Sequence, residues 1–344
     1  MAERTRRGIV LTALQYAVGL GALAWVLSRV DLGRVAAMLA GLDAATIAAI
    51  LAVSAAGLLG RFYTWYATIT PRGRAAFADA ARTDLIVNFV NQLLPSRLSG
   101  RIAAPFVLKS QTGLAYADAT AVAGVHTGVY AVLYGVTALA GLGLLAGRLP
   151  VGLVLLLAGS TALYLGAGGF VLLAGTNLTL LDGLLGRLAS LLARLPRVGP
   201  TLAGRVRGLT EYTTDSTEAV RALATAPGVW LRYGIGWTLA LVLAPGARVL
   251  LLLWGFGAGF EPAIVLPFVL VTAYSVTLLP LTPGGIGVTE ATATAVFVAL
   301  GVPETVIVPV VLLDRTLGTY LPAVAGWYPS LELDTSSLSP DREA

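Results

Sequence analysis

The stretch Leu278-Leu-Pro-Leu-Thr-Pro-Gly-Gly-Ile-Gly-Val-Thr-Glu290 decides how this chain is built. Its prolines, glycines and one carboxylate interrupt what is otherwise a single hydrophobic run from Pro262 to Gly301. Hydrocarbon cannot satisfy loose backbone N–H and C=O groups, so a break at this depth must be buried in protein or line a wet cavity. Such a break marks a candidate site.

The rest of the composition agrees with a membrane setting. Hydrophobic residues make up 57% of the 344, charged residues 12%, and the mean hydropathy is +0.82. A soluble domain carries roughly 25% charged residues, so the fold class is an all-α polytopic membrane protein with little room for a soluble domain. The absence of cysteine excludes disulfides, thiolate metal sites and cysteine nucleophiles. A single histidine, His126, argues against a His-built metal centre, and no cofactor or metal is expected. Net charge is +5, carried by arginine with Lys109 the sole lysine. That balance fits basic inner loops and anionic head groups and gives no support to nucleic-acid binding.

Outward from the break, the chain divides into about 7–8 spans plus two re-entrant hairpins, judged against a membrane core of about 30 Å. Gly8–Ser28 reads as a retained first span, followed by an outer loop or amphipathic turn over 31–43. The second span, Ala44–Thr68, ends in an aromatic and basic stretch where Arg61 reads as a side chain snorkelling to the interface. Residues 83–109 form two apolar halves of about 12 residues, too short to span, around a break at Pro95–Gly100. The polar residues Asn88, Asn91, Gln92, Arg97 and Arg101 flank it and should face the bundle interior. Spans follow at Ala117–Gly147 and Leu149–Gly175. The arginine-rich region 177–226 has leucines at helical spacing, as expected of a helix lying on the inner surface. Gly228–Gly257 crosses outward with a kink at Pro245-Gly246. Pro262–Leu281 and Val288–Leu300 flank the second break, Glu304–Tyr328 returns inside, and an acidic tail, 331–344, is expected to be disordered. A single integral domain over 1–330 is expected, in the plasma membrane with both termini cytoplasmic.

The two breaks share a frame. Leu93-Leu-Pro-x4-Gly100 matches Leu278-Leu-Pro-x4-Gly285, and each is followed by a short helix, a glycine and a span carrying a polar pair. Those pairs are His126-Thr127 and Asp314-Arg315. The expected topology makes one hairpin enter from inside and the other from outside. The repeats, about residues 83–147 and 262–328, would then be inverted, an arrangement that puts transporter sites at the bilayer midplane.

Asn91-x3-Pro-x-Arg97, Pro283-Gly-Gly-Ile-Gly-Val-x-Glu290 with Gly301-Val, and Asp314-Arg315 with Pro322 and Gly326 resemble the membrane region of lysylphosphatidylglycerol synthases. The same region occurs in stand-alone flippase-like membrane proteins. The likeness covers about residues 10–330, and Pro-Gly-Gly-x-Gly-x-x-Glu is its specific part. It implies lipid handling without aminoacyl transfer, because a separate soluble domain does that chemistry in the synthases. Two departures stand out. Ser99-Gly100-Arg101 replaces a Gly-Glu pair followed by Arg, and His126-Thr127 stands where the family often has Glu-Arg.

The candidate site follows from residue chemistry. Gly284, Gly285 and Gly287 let the backbone turn and present amides at a helix N-terminus, which attracts anions. Arg97, Arg101, Lys109 or Arg315 would complete a head-group phosphate site, since the planar guanidinium pairs two oxygens at once. Glu290 has three readings: a cap favoured by the helix dipole, a partner of Arg315, or a proton- or ion-coupling group. Adjacent Asp314 and Arg315 point apart on a helix and need not pair. Arg248 and Arg315 are the strongest internal cations, with Asn91, His126 and Asp314 as supporting residues. No catalytic motif is present, so no enzymatic activity is expected. Three functions stay open: moving an anionic phospholipid or lipid-linked group between leaflets, transporting a small solute or ion, or serving as an accessory component of a lipid or glycan pathway. A homo-oligomer or a partner enzyme is equally open.

Overall fold

The computed structural model describes residues 21, 32–93, 97–145, 147–176, 226–279 and 281–333. Within them every regular element is helical. The expected first span (Gly21 apart), nearly all of the loop 177–226 and the tail from residue 334 lie outside the described residues.

Ten helices organise the described part. Helix α1 (Leu32–Ala40) is short and occupies the stretch read as a loop or amphipathic turn. Helix α2 (Ala44–Ile69) starts where the Asp43 carboxylate accepts from the Thr46 N–H at 2.9 Å, a side-chain cap on an otherwise unpaired backbone donor. Then come α3 (Phe77–Leu93), α4 (Arg97–Thr112), α5 (Tyr116–Leu144), α6 (Val151–Thr176) and α7 (Pro227–Gly255). Helices α8 (Leu266–Tyr274), α9 (Val288–Ala299) and α10 (Glu304–Ser330) complete the set. Five of them, α2, α5, α6, α7 and α10, are long and apolar enough to cross a membrane.

Two helix pairs are shorter. Helices α3 and α4 have 17 and 16 residues, roughly 25 Å each by helical rise. The expectation of halves of about 12 residues needs correcting, as does the expected break at Pro95–Gly100. The polar stretch Arg97–Arg101 is helical, so Gly100 and Arg101 lie inside α4, and residues 94–96 are outside the described ones. Helices α8 and α9 have 9 and 12 residues, with a 3-10 turn, Ser275–Leu278, extending α8. Between them Gly284, Gly285 and Gly287 take φ of 60°, 74° and 81°, a region that a Cβ disfavours. Gly284 also has no space for a Cβ because the Gln92 side chain of α3 packs against it. The last turn of α3 therefore meets the second break.

Two long helices each contain one π turn, Leu239–Leu243 in α7 and Thr316–Tyr320 in α10, placed just before Pro245 and Pro322. Proline has no N–H, so the carbonyl four residues earlier loses its partner. The irregularity expected at Pro245-Gly246 accordingly sits one turn earlier.

Packing is reciprocal between the two short pairs. Helix α5, which follows the first pair, packs on α8 of the second, where the Thr272 hydroxyl donates to the Ala138 carbonyl at 3.0 Å. Helix α10, which follows the second pair, packs on α3 of the first, with Gly326 against the Leu85 carbonyl. One apolar core surrounds α2 to α5 and a second surrounds α7 to α10. The charged residues lie where the two meet.

Candidate functional site

The break before α9 builds the first charged node. Glu290 Oε2 accepts from the Gly287 N–H at 2.7 Å. The amide of Gly287, expected to be free for a ligand, is thus taken by the chain's own carboxylate. The other oxygen, Oε1, accepts from Arg315 Nε at 2.8 Å and from the Tyr320 hydroxyl. Capping and pairing, posed as alternatives, occur together. Glu290 is 0% and Arg315 2% exposed. An isolated ion at such depth is very costly, and only a well-bonded partner holds it there.

Tyr320 reaches Glu290 because of the π turn. It stands five positions after Arg315, and the i→i+5 pattern of that turn brings onto one side two residues that a regular helix would separate. The Arg315 guanidinium also lies 5.2 Å from the ring centre of Tyr320 and 5.9 Å from that of Tyr274, within cation–π range. Arg315 Nη1 donates to Thr319 Oγ1 at 3.1 Å. Its Nη2 is buried and has no partner among the described residues.

Asp314 turns the other way, as adjacency on a helix requires. Its Oδ1 takes Arg248 Nε at 2.8 Å and Arg248 Nη2 at 2.6 Å, while Oδ2 accepts from the Tyr274 hydroxyl at 2.7 Å. Gly318 permits this approach, since a Cβ there would stand 2.6 Å from Arg248 Nη2. Arg248 is therefore saturated along the edge that Arg315 leaves half used.

The third node was misread from sequence. Arg61 does not snorkel outward. It donates to Asp84 of α3 at 2.7 Å and to the Gly318 carbonyl at 3.2 Å. That carbonyl is the one Pro322 leaves without its helical donor. Asn88 Nδ2 donates to the next carbonyl, Thr319, at 3.1 Å. Side chains from the first half thus donate to two backbone carbonyls of the π turn in the second half. Asp84, Tyr274, Thr319 and Tyr320 escaped sequence reading. Asp84 shares its helix with Asp79 and Arg82, so a search for a lone charge within an apolar helix does not single it out. Nothing in sequence announces the π turn that recruits Tyr320.

The three nodes surround a cavity of about 150 Å³, room for several waters. Arg61, Asp84, Arg248, Asp314 and Arg315 contribute its charged wall, Asn88 and Asn91 its amides, and Trp65, His126, Tyr130 and Tyr274 much of its aromatic side. Each arginine has one carboxylate partner, Asp84, Asp314 or Glu290, so the charged wall is balanced. His126 stacks on Trp65 at 3.7 Å and 13°. Where the resemblance leads one to expect a charged pair, this chain has an aromatic stack. Gly284 and Gly285 lie behind this wall at the junction with α3. Arg97 and Arg101 open α4, and their side chains lie outside the described residues. Lys109, in the last turn of α4, does not line the cavity.

A family model described as the lysylphosphatidylglycerol synthase TM region matches residues 12–326. No curated protein matches the chain.

Proposed function

The chain belongs to the lysylphosphatidylglycerol synthase TM-region family, and from that premise we propose that it moves a phospholipid or lipid-linked anion between leaflets. Its five long apolar helices and its family make it an integral membrane protein with a lipid-related role. The proposal adds the step: the head-group phosphate enters the charged cavity and is held by Arg315. The observation carrying this reading is Arg315, which lines the cavity and whose buried Nη2 is a donor without a partner among the described residues. A phosphate oxygen is the acceptor that a guanidinium edge is shaped to take.

The same reading treats α3–α4 and α8–α9 as re-entrant hairpins of an inverted repeat in the plasma membrane. Reciprocal packing of α5 on α8 and α10 on α3 supports it, as does a cavity placed between broken helices. Both termini are proposed to be cytoplasmic, and no covalent step is invoked. Transport of a small soluble anion is the second reading, favoured by the modest cavity volume of about 150 Å³.

Native mass spectrometry of protein extracted in mild detergent separates the two. The proposal predicts a co-purified phosphate-bearing lipid in the wild type and its loss in Arg315→Met. Lipid retained equally by Arg315→Met would refute Arg315 as the head-group contact.

A further inference from the structure

Glu290 and Arg315 are mismatched in a way that says what else must bind. The side edge of a guanidinium, Nε–H with Nη2–H, can donate to two oxygens of one anion. Arg248 uses that edge fully on Asp314. Arg315 does not: Glu290 Oε1 takes Nε alone, because the Gly287 N–H holds Oε2 away. Nη2 is left buried and without a partner among the described residues.

An arriving phosphodiester can therefore take Nε and Nη2 together, with a geometry Glu290 cannot match. The charges then fail to balance. Before binding, each of the three arginines of the wall is paired with a carboxylate, Asp84 and Asp314 on the wall and Glu290 outside the lining. After binding, the one cation Arg315 faces two anions, phosphate and Glu290, whether the phosphate displaces the carboxylate or joins it. Arg248 supplies no spare charge, being held by Asp314, and Arg61 is held by Asp84. An uncompensated carboxylate this deep is costly enough that it takes up a proton instead.

We infer that Glu290 is a proton site coupled to the phosphate site on Arg315: each phosphate-bearing head group that binds brings one proton with it. The proton goes to Oε1, the oxygen released from Arg315 Nε, while Oε2 keeps its hydrogen bond from the Gly287 N–H. The protonated Oε1 can donate to the phosphate or to the Tyr320 oxygen, so Tyr320 changes from donor toward Glu290 to acceptor without moving away. Among the described residues the groups facing Glu290 are Arg315 and Tyr320 of α10 and the Gly287 amide, with Tyr274 of α8 over the far side of Arg315. Asp314 and Asp84 are bonded to their own arginines, and His126 lies on the aromatic side of the cavity. This inference rests on the phosphate reading above and adds the co-transported ion.

The test is calorimetric titration of short-chain phosphatidylglycerol into detergent-solubilised protein near neutral pH, in two buffers of different ionisation enthalpy. The difference in heat gives protons taken up per lipid bound. The expected value is close to one, with affinity falling up to about tenfold per pH unit as pH rises. The Glu290→Gln variant should bind with no proton uptake. Wild-type binding with zero uptake overturns the coupling and leaves the phosphate site standing. Binding that Arg315→Met does not weaken overturns the phosphate site, and the coupling with it. Uptake of one proton by Glu290→Gln overturns the assignment to Glu290. Should Glu290→Gln fail to fold, His126→Gln decides: uptake that persists there supports Glu290, and uptake lost there transfers the role to the histidine and overturns the inference.

Discussion

Glu290 makes one hydrogen bond to an edge of Arg315 that has room for two. The Arg315 Nε donates at 2.8 Å while Nη2 is buried without a partner among the described residues. The cause is local and lies in the glycine-rich break, where the Gly287 amide claims the second carboxylate oxygen. A device for ending one helix thereby leaves a vacancy on another.

Removing one member of this pair should cost more than removing both. Arg315→Met leaves Glu290 buried and uncompensated, a loss of about 3–5 kcal/mol for a broken buried pair. The double variant Arg315→Met with Glu290→Met leaves no unpaired charge and should recover most of that loss. Thermal melting in detergent checks the order: double variant above either single one. Lipid movement, in contrast, should be absent from the double variant.

Arg315→Lys should fold and still fail. Lysine keeps the charge beside Glu290 but offers a point charge in place of a planar fork. Retention of native lipid should fall at least about tenfold, which one lost charge-assisted hydrogen bond is large enough to cause, with melting lowered only modestly. Mass spectrometry and melting on the same preparation separate the two effects.

Much of this was legible in the sequence, for physical reasons. The Pro-Gly-Gly-Ile-Gly run announces a break because prolines and glycines end helices, and burial of that break follows from hydrocarbon's inability to bond the backbone. Adjacency on a helix meant that Asp314 and Arg315 need not pair with each other, and they bond Arg248 and Glu290 instead. Arg61 was misread because an arginine near aromatic residues looks the same whether it snorkels or turns inward. Its partners, Asp84 and the Gly318 carbonyl, come from distant segments. The α4 start was misplaced because Arg97–Arg101 looks like a polar loop, whereas tertiary context overrides such weak local preferences. Filling of the α9 N-terminus by Glu290 was one of the readings, and only geometry shows that the cap and the ion pair share one carboxylate.

The reciprocal packing makes a prediction at glycine. Gly326 lies against the Leu85 carbonyl and Gly141 against the Phe268 carbonyl and Thr272 hydroxyl, where a Cβ would collide with backbone. Gly326→Ala and Gly141→Ala should each destabilise by about 1–3 kcal/mol, the usual cost of overpacking. Gly143→Ala, where nothing lies within 4 Å of the added carbon, should be neutral or slightly stabilising. Melting of the three variants side by side gives the answer.

Tyr320 separates its two contributions by substitution. Tyr320→Phe keeps the ring over Arg315 and loses the hydroxyl on Glu290, a loss of about 1.5–3 kcal/mol for a hydrogen bond to a charged group. Tyr320→Ala loses the ring as well and should be less stable still. Equal melting of the two variants would mean that the ring over Arg315 contributes nothing.

His126 serves the wall as a ring. His126→Phe keeps a flat aromatic surface for Trp65, so melting and lipid retention should stay near wild type. His126→Ala opens a space beside Trp65 and should lower stability by about 2–4 kcal/mol, as large-to-small changes in packed cores do.

The central claim is that the cavity passes a lipid head group by way of Arg315. Reconstituting the protein in vesicles that carry fluorescent phosphatidylglycerol, then bleaching the outer leaflet with dithionite, measures movement of that lipid directly. The account predicts fast loss of inner-leaflet fluorescence with the wild type. With the folded double variant Arg315→Met and Glu290→Met, the rate should equal that of protein-free vesicles. A double variant as fast as the wild type would contradict it.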